Sequence, residues 1–64
     1  MAHFHITDDG DEVVSIALIT DEATTIVNVE HGAHGWDGMT ATIDAVETFA
    51  AALGIEVVNE QDIV

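Results

Sequence analysis

Apolar and polar residues alternate from Ala2 to Thr7, "AHFHIT", with Phe4 and Ile6 on one side and His3 and His5 on the other. That period of two is the pattern of a strand. "DDGDE" follows, and its Asp-Gly pair marks a hairpin turn. Val13 to Thr20, "VVSIALIT", is a β-branched run. Val14, Ile16 and Leu18 share one of its faces; Val13, Ser15, Ala17 and Ile19 share the other. Both faces are largely apolar, which predicts a central strand or one covered on both sides. "TDEA" is a second turn. Thr24 to His31, "TTIVNVEH", alternates again, with Val27 and Val29 opposite Ile26, Asn28 and Glu30.

The period then changes. Gly32 to Gly38, "GAHGWDG", holds three of the five glycines and predicts a loop. "MTATIDAVETFAAALG" predicts the one helix, capped at its start by Thr40 or Thr42. Ile43, Val46, Phe49, Ala50 and Leu53 form an apolar stripe expected to be core. Asp44 and Glu47 would lie near the helix N-terminus, where the dipole favours acids. Gly54 is placed to end the helix in the left-handed conformation. Ile55 to Asn59, "IEVVN", makes a last short strand, and "EQDIV" is a tail or its extension.

The expected fold is therefore α+β: a small antiparallel sheet in β-β-β-α-β order, with one helix packed on one face, in a single domain spanning residues 1–64. One helix covers one face only. The second apolar face of Val13–Ile19 is left for a homodimer partner or a client protein.

Charge changes the picture. The 64 residues include 13 Asp and Glu but no Lys and no Arg, for a formal net charge of −13 with His neutral. At ordinary usage, drawing no Lys or Arg in such a length has a probability on the order of a few in ten thousand. The chain is not a disordered acidic tail, because 48% of its residues are apolar. Its field opposes DNA, RNA, anionic membranes and phosphorylated substrates. Only the terminal amine and protonated His can be cations. Self-repulsion should weaken the folded state at low salt, so stability is expected to rise with NaCl. There is no 18-residue apolar run and no basic leader with a long apolar stretch, so a soluble, cytoplasmic protein is expected.

Little catalytic chemistry is available. Cys, Lys, Arg and Tyr are absent, and Ser15 is the only serine. The Gly-rich segment contains neither GxxxxGK[ST] nor GxGxxG. The chain is not expected to be an enzyme or to carry a cofactor. His3 and His5 share a strand face, and His31 and His34 bracket the Gly-rich segment near Asp37. Neither spacing is that of a metal motif, and solvent-facing His is the simpler reading. "DDGDE" lacks the ligand order of a calcium loop, so Asp8, Asp9 and Asp11 offer weak cation binding at most. Trp36 is either an interface anchor or a lid over the core, and the second is favoured in so small a domain.

The charge itself is the remaining signal. Carboxylates at both turns can present a DNA-like array to a basic, nucleic-acid-binding protein. "SIALITDE", Ser15 to Glu22, resembles a segment of the phage uracil-DNA glycosylase inhibitors, which are small acidic DNA mimics. In that family a Glu-Ser-Ile triplet on an edge strand is followed by hydrophobic residues and an acidic pair. Ser15 and Ile16 match the end of the triplet, Leu18 and Ile19 the hydrophobic positions, and Asp21 and Glu22 the acidic pair. Val14 stands where the family has Glu, and the family member compared begins with helix. The resemblance implies the behaviour of an acidic DNA mimic. With the charge, the expected function is a non-enzymatic inhibitor that occupies the basic groove of a repair glycosylase, a restriction enzyme, a CRISPR effector or another nucleic-acid-binding protein. Asp8, Asp9, Asp11, Glu12, Asp21 and Glu22 are the expected charged contacts. Ile16, Leu18 and Ile19 are candidates for an apolar partner pocket or a dimer seam. The alternative is a halophile's small structural or regulatory domain, dimeric or not, whose acidity is salt adaptation. An antitoxin-like module for a basic toxin shares the charge logic.

Overall fold

The β-branched runs form strands where alternation is cleanest. The computed structural model describes residues 1–63, with β1 at His3–Asp8, β2 at Val13–Ile19, β3 at Thr24–Glu30, α1 at His31–Leu53 and β4 at Glu56–Asn59. The α+β class and the β-β-β-α-β order follow the sequence pattern. Sheet order is β3-β2-β1-β4. The β1–β2 and β2–β3 pairs are antiparallel hairpins, aligning Ile6 with Ile16 and Ile16 with Val27.

The last strand departs from the all-antiparallel expectation. β4 pairs with β1 in parallel, so the sheet is mixed. The cause is the helix. It carries the chain back along the sheet before β4 begins, and a strand entered after such a return runs in the same direction as the one that preceded the helix.

Alternation decides what is buried. Phe4, Ile6, Val14, Ile16 and Val29 meet Met39, Ile43 and Ala50 of the helix in one core. Ile6, Val14 and Met39 are fully inaccessible. Leu18, Val46, Ile55, Val57 and Ile63 pack around them. The helical stripe is thus Met39, Ile43, Val46 and Ala50. Phe49 and Leu53, expected in the core, are 56% and 58% exposed. Phe49 touches the core through an edge-on ring contact with Phe4, centroids 6.4 Å apart.

The Gly-rich segment is a second correction. It forms the first turns of α1, interrupted at Gly35 (φ 68°, ψ 174°). Thr40 and Thr42 are therefore interior, and the Thr42 hydroxyl donates to the Gly38 carbonyl at 2.8 Å. Asp44 and Glu47 are mid-helix, not at its start. The His31 amide donates to the Glu12 carbonyl at 3.0 Å, so the β2–β3 pairing runs up to the first residue of the helix and leaves no loop between them. The backbone at Gly35 lies in a region open essentially to glycine alone. Gly35→Ala is expected to lower stability by about 1–3 kcal/mol, read by urea melts; an unchanged midpoint would mean that the break is not fixed.

The helix ends as its sequence predicts. Gly54 is left-handed (φ 70°, ψ 28°). Its amide bonds the Ala51 carbonyl, and the Ile55 amide bonds the Ala50 carbonyl at 2.8 Å, the double bond of a Schellman ending.

Candidate functional site

Hairpin geometry brings carboxylates together at one end of the sheet. In the β1–β2 turn, the Asp8 carboxylate accepts the Gly10 amide at 3.1 Å and that of Asp9 accepts the Asp11 amide at 2.8 Å. Asp side chains commonly hold turns this way. Glu12 completes the turn with a positive φ of 63°. The C-terminal tail then crosses the same end. The Glu60 amide donates to the Ile6 carbonyl, and the Asp62 amide donates to the second Asp8 oxygen at 2.7 Å. Asp8, Asp9, Asp11, Glu12, Glu60 and Asp62 therefore share one end, together with Glu30, which ends β3 opposite Val13. Sequence reading missed Glu60 and Asp62, because only the parallel pairing of β4 delivers the tail here.

Histidines are the nearby cations when protonated. His5 pairs with Glu60 across β1 and the tail. His31 Nδ1 lies 3.1 Å from a Glu12 carboxylate oxygen. The Trp36 ring packs on the His31 ring, centroids 4.0 Å apart. Trp36 is 44% exposed, so it does not close the core as expected. It stands beside the acidic end, tied to it through His31 and Glu12.

Asp21 and Glu22 lie elsewhere. They form the β2–β3 turn at the opposite end of β2, where the Thr20 hydroxyl oxygen accepts the amides of Glu22 and Ala23. A seven-residue strand is about 20–24 Å long, so the two acidic turns form separate patches. Asp21 pairs with the terminal amine at 3.0 Å. Among the described residues, the carboxylates of Asp11, Glu22 and Asp62 take part in no hydrogen bond or ion pair.

The apolar candidates are divided between faces. Ile16 is buried in the core, on the face that the helix covers. With Leu18 it floors an open apolar groove of about 260 Å³, walled by Thr42 and Val46 of the helix and by Thr25 and Val27 of β3. Ile19 is half-buried on the other face, among Val13, Ala17, Ile26, Val58, His3 and His5. Ser15 is on that face too, its hydroxyl donating to Asn28 at 2.8 Å. The segment resembling the glycosylase inhibitors begins in β2, an interior strand, whereas the resemblance implies an edge.

Among the described residues no three His, Asp or Glu side chains converge to hold a metal ion, and no helix is long and apolar enough to cross a membrane. Comparison with protein-family models, curated proteins and solved structures gives no match.

Proposed function

We propose that the chain is a non-enzymatic acidic inhibitor, acting in the cytoplasm, that occupies the basic nucleic-acid-binding groove of another protein. The observation that carries this reading is the convergence of Asp8, Asp9, Asp11, Glu12, Glu60 and Asp62 beside half-exposed Trp36, in a chain with no Lys or Arg. The partner's Lys and Arg meet carboxylates in place of phosphates, and Trp36 supplies an aromatic anchor. A DNA-repair glycosylase, a restriction enzyme or a CRISPR effector offers such a groove. Nucleic acid itself and anionic membranes are repelled.

A second reading is favoured by the carboxylates away from that end. Asp21, Glu22 and Glu56 lie toward the other end of the sheet, and Asp37, Asp44 and Glu47 lie on the helix. A skin spread this way suits salt adaptation of a small structural or regulatory domain.

Competition with duplex DNA for purified basic nucleic-acid-binding proteins separates the two. Mimicry gives mutual exclusion and an affinity that falls at least about tenfold from 0.05 to 0.5 M NaCl. The double variant Asp11→Asn, Asp62→Asn loses about fivefold or more, whereas Asp21→Asn, Glu22→Gln loses little. Equal losses from both pairs, or no competition with DNA, would leave salt adaptation as the reading.

A further inference from the structure

β3 is an edge strand, and among the described residues it pairs with β2 alone. It pairs with β2 in continuous register from Val13–Glu30 to Ile19–Thr24, without a bulge, and contains no Pro or Lys. Natural edges are usually blunted by such devices, because their free amides and carbonyls recruit another strand. The opposite edge, β4, has only four residues. β3 has seven and is apolar on both sides at its middle, with Ile26 61% and Val27 56% exposed. Val27 also forms one wall of the apolar groove beside the helix.

We propose that β3 pairs antiparallel with β3 of a second copy, joining two four-stranded sheets into one of eight strands. Charge selects the occupant and the register. Ala23 to Val29 carries no carboxylate in a chain of net charge −13, so this edge offers a basic partner nothing to neutralise and suits an equally neutral strand. A two-fold axis perpendicular to the sheet keeps both helices on one side. Facing residues must then share a face, which permits centres at Ile26, Val27 or Asn28. Centring on Ile26 sets Glu30 against Glu22, two like charges. Centring on Asn28 sets Glu30 against exposed Ile26. Centring on Val27 sets Glu30 against Thr24, Thr25 against Val29 and Ile26 against Asn28, and brings the two Val27 side chains together. No carboxylate then opposes another, and the Val27 pair closes the mouths of both grooves.

The acidic ends still repel between copies, so salt strengthens this association, whereas it weakens capture by a basic partner. Failure of either proposal is thus read independently. Sedimentation equilibrium of the full chain should show a dimer whose Kd falls at least about tenfold between 0.15 and 2 M NaCl. Val27→Lys places two cations face to face and should weaken the dimer about a hundredfold, with an unchanged circular dichroism spectrum. Val27→Cys introduces a lone thiol and should cross-link with a short bifunctional reagent far faster than Thr48→Cys on the helix. The cross-link also decides the matter should the Lys variant unfold. A monomer at every salt concentration would overturn the proposal, as would a dimer in which the Val27→Cys thiols cross-link no faster than the control.

Discussion

Raising NaCl from about 0.01 M to about 1 M is expected to lift the melting temperature of this chain by roughly 10 °C or more. The folded chain confines a formal charge of −13 within a radius of gyration of 11.4 Å. The unfolded chain spreads the same charge over a radius of roughly 24 Å. Repulsion is therefore greater in the folded state, and no Lys or Arg offsets it locally. The screening length falls from about 30 Å to about 3 Å over this range of salt. Screening then removes a differential repulsion on the order of a few kcal/mol. In so small a domain each kcal/mol moves the melting temperature by about 4–8 °C. Calorimetry or circular dichroism melts in chloride salts check this. Replacing Asp21, Glu22, Asp44 and Glu47 by their amides should shallow the salt dependence, since charge causes it. A flat response in the parent chain would remove self-repulsion as a determinant of its stability.

The second large effect is expected at the centre of the core. Ile6 is fully inaccessible and sits on β1 between Ile16 of β2 and Asn59 of β4. Ile6→Ala removes buried methyl groups and leaves a cavity, at a loss of about 2–5 kcal/mol. A domain below 70–80 residues rarely draws more than about 3–5 kcal/mol from its core. The variant should therefore be largely unfolded in about 0.01 M NaCl and recover helix and sheet signals in about 1–2 M. The rescue is informative because salt acts on repulsion, whereas the cavity persists. A variant folded equally well in low salt would show that the core holds a larger reserve than its size implies. A variant that stayed unfolded in high salt would show that repulsion is the smaller of the two terms.

The acidic end joins features of different legibility. Asp8 and Asp9 were readable as turn formers because Asp-Gly signals a local structure. Glu60 and Asp62 were not, since their placement depends on β4 entering beside β1 in parallel. Trp36 could be read as core or as anchor from its neighbours in sequence. Its contact with His31, itself fixed by Glu12, decided for the surface. The Gly-rich segment misled for a related reason. Glycine opposes helix by about 1 kcal/mol per residue, a weak preference that one backbone anchor and a packed Met39 can override.

Local chemistry alone determined much of this protein. Alternation defined three of the strands and which of their residues share a face, while the packing of the helix chose the face that is buried. Gly54 defined the helix end, and the absence of Lys and Arg defined the field. These properties depend on neighbours a few residues apart or on the whole composition, so no fold is needed to read them. Tertiary structure decided the direction of β4, the gathering of seven carboxylates at one end, the exposure of Phe49 and Leu53, and the identity of the edge strands. Each is set by contacts between segments distant in sequence, where pairing geometry and packing outweigh local preference.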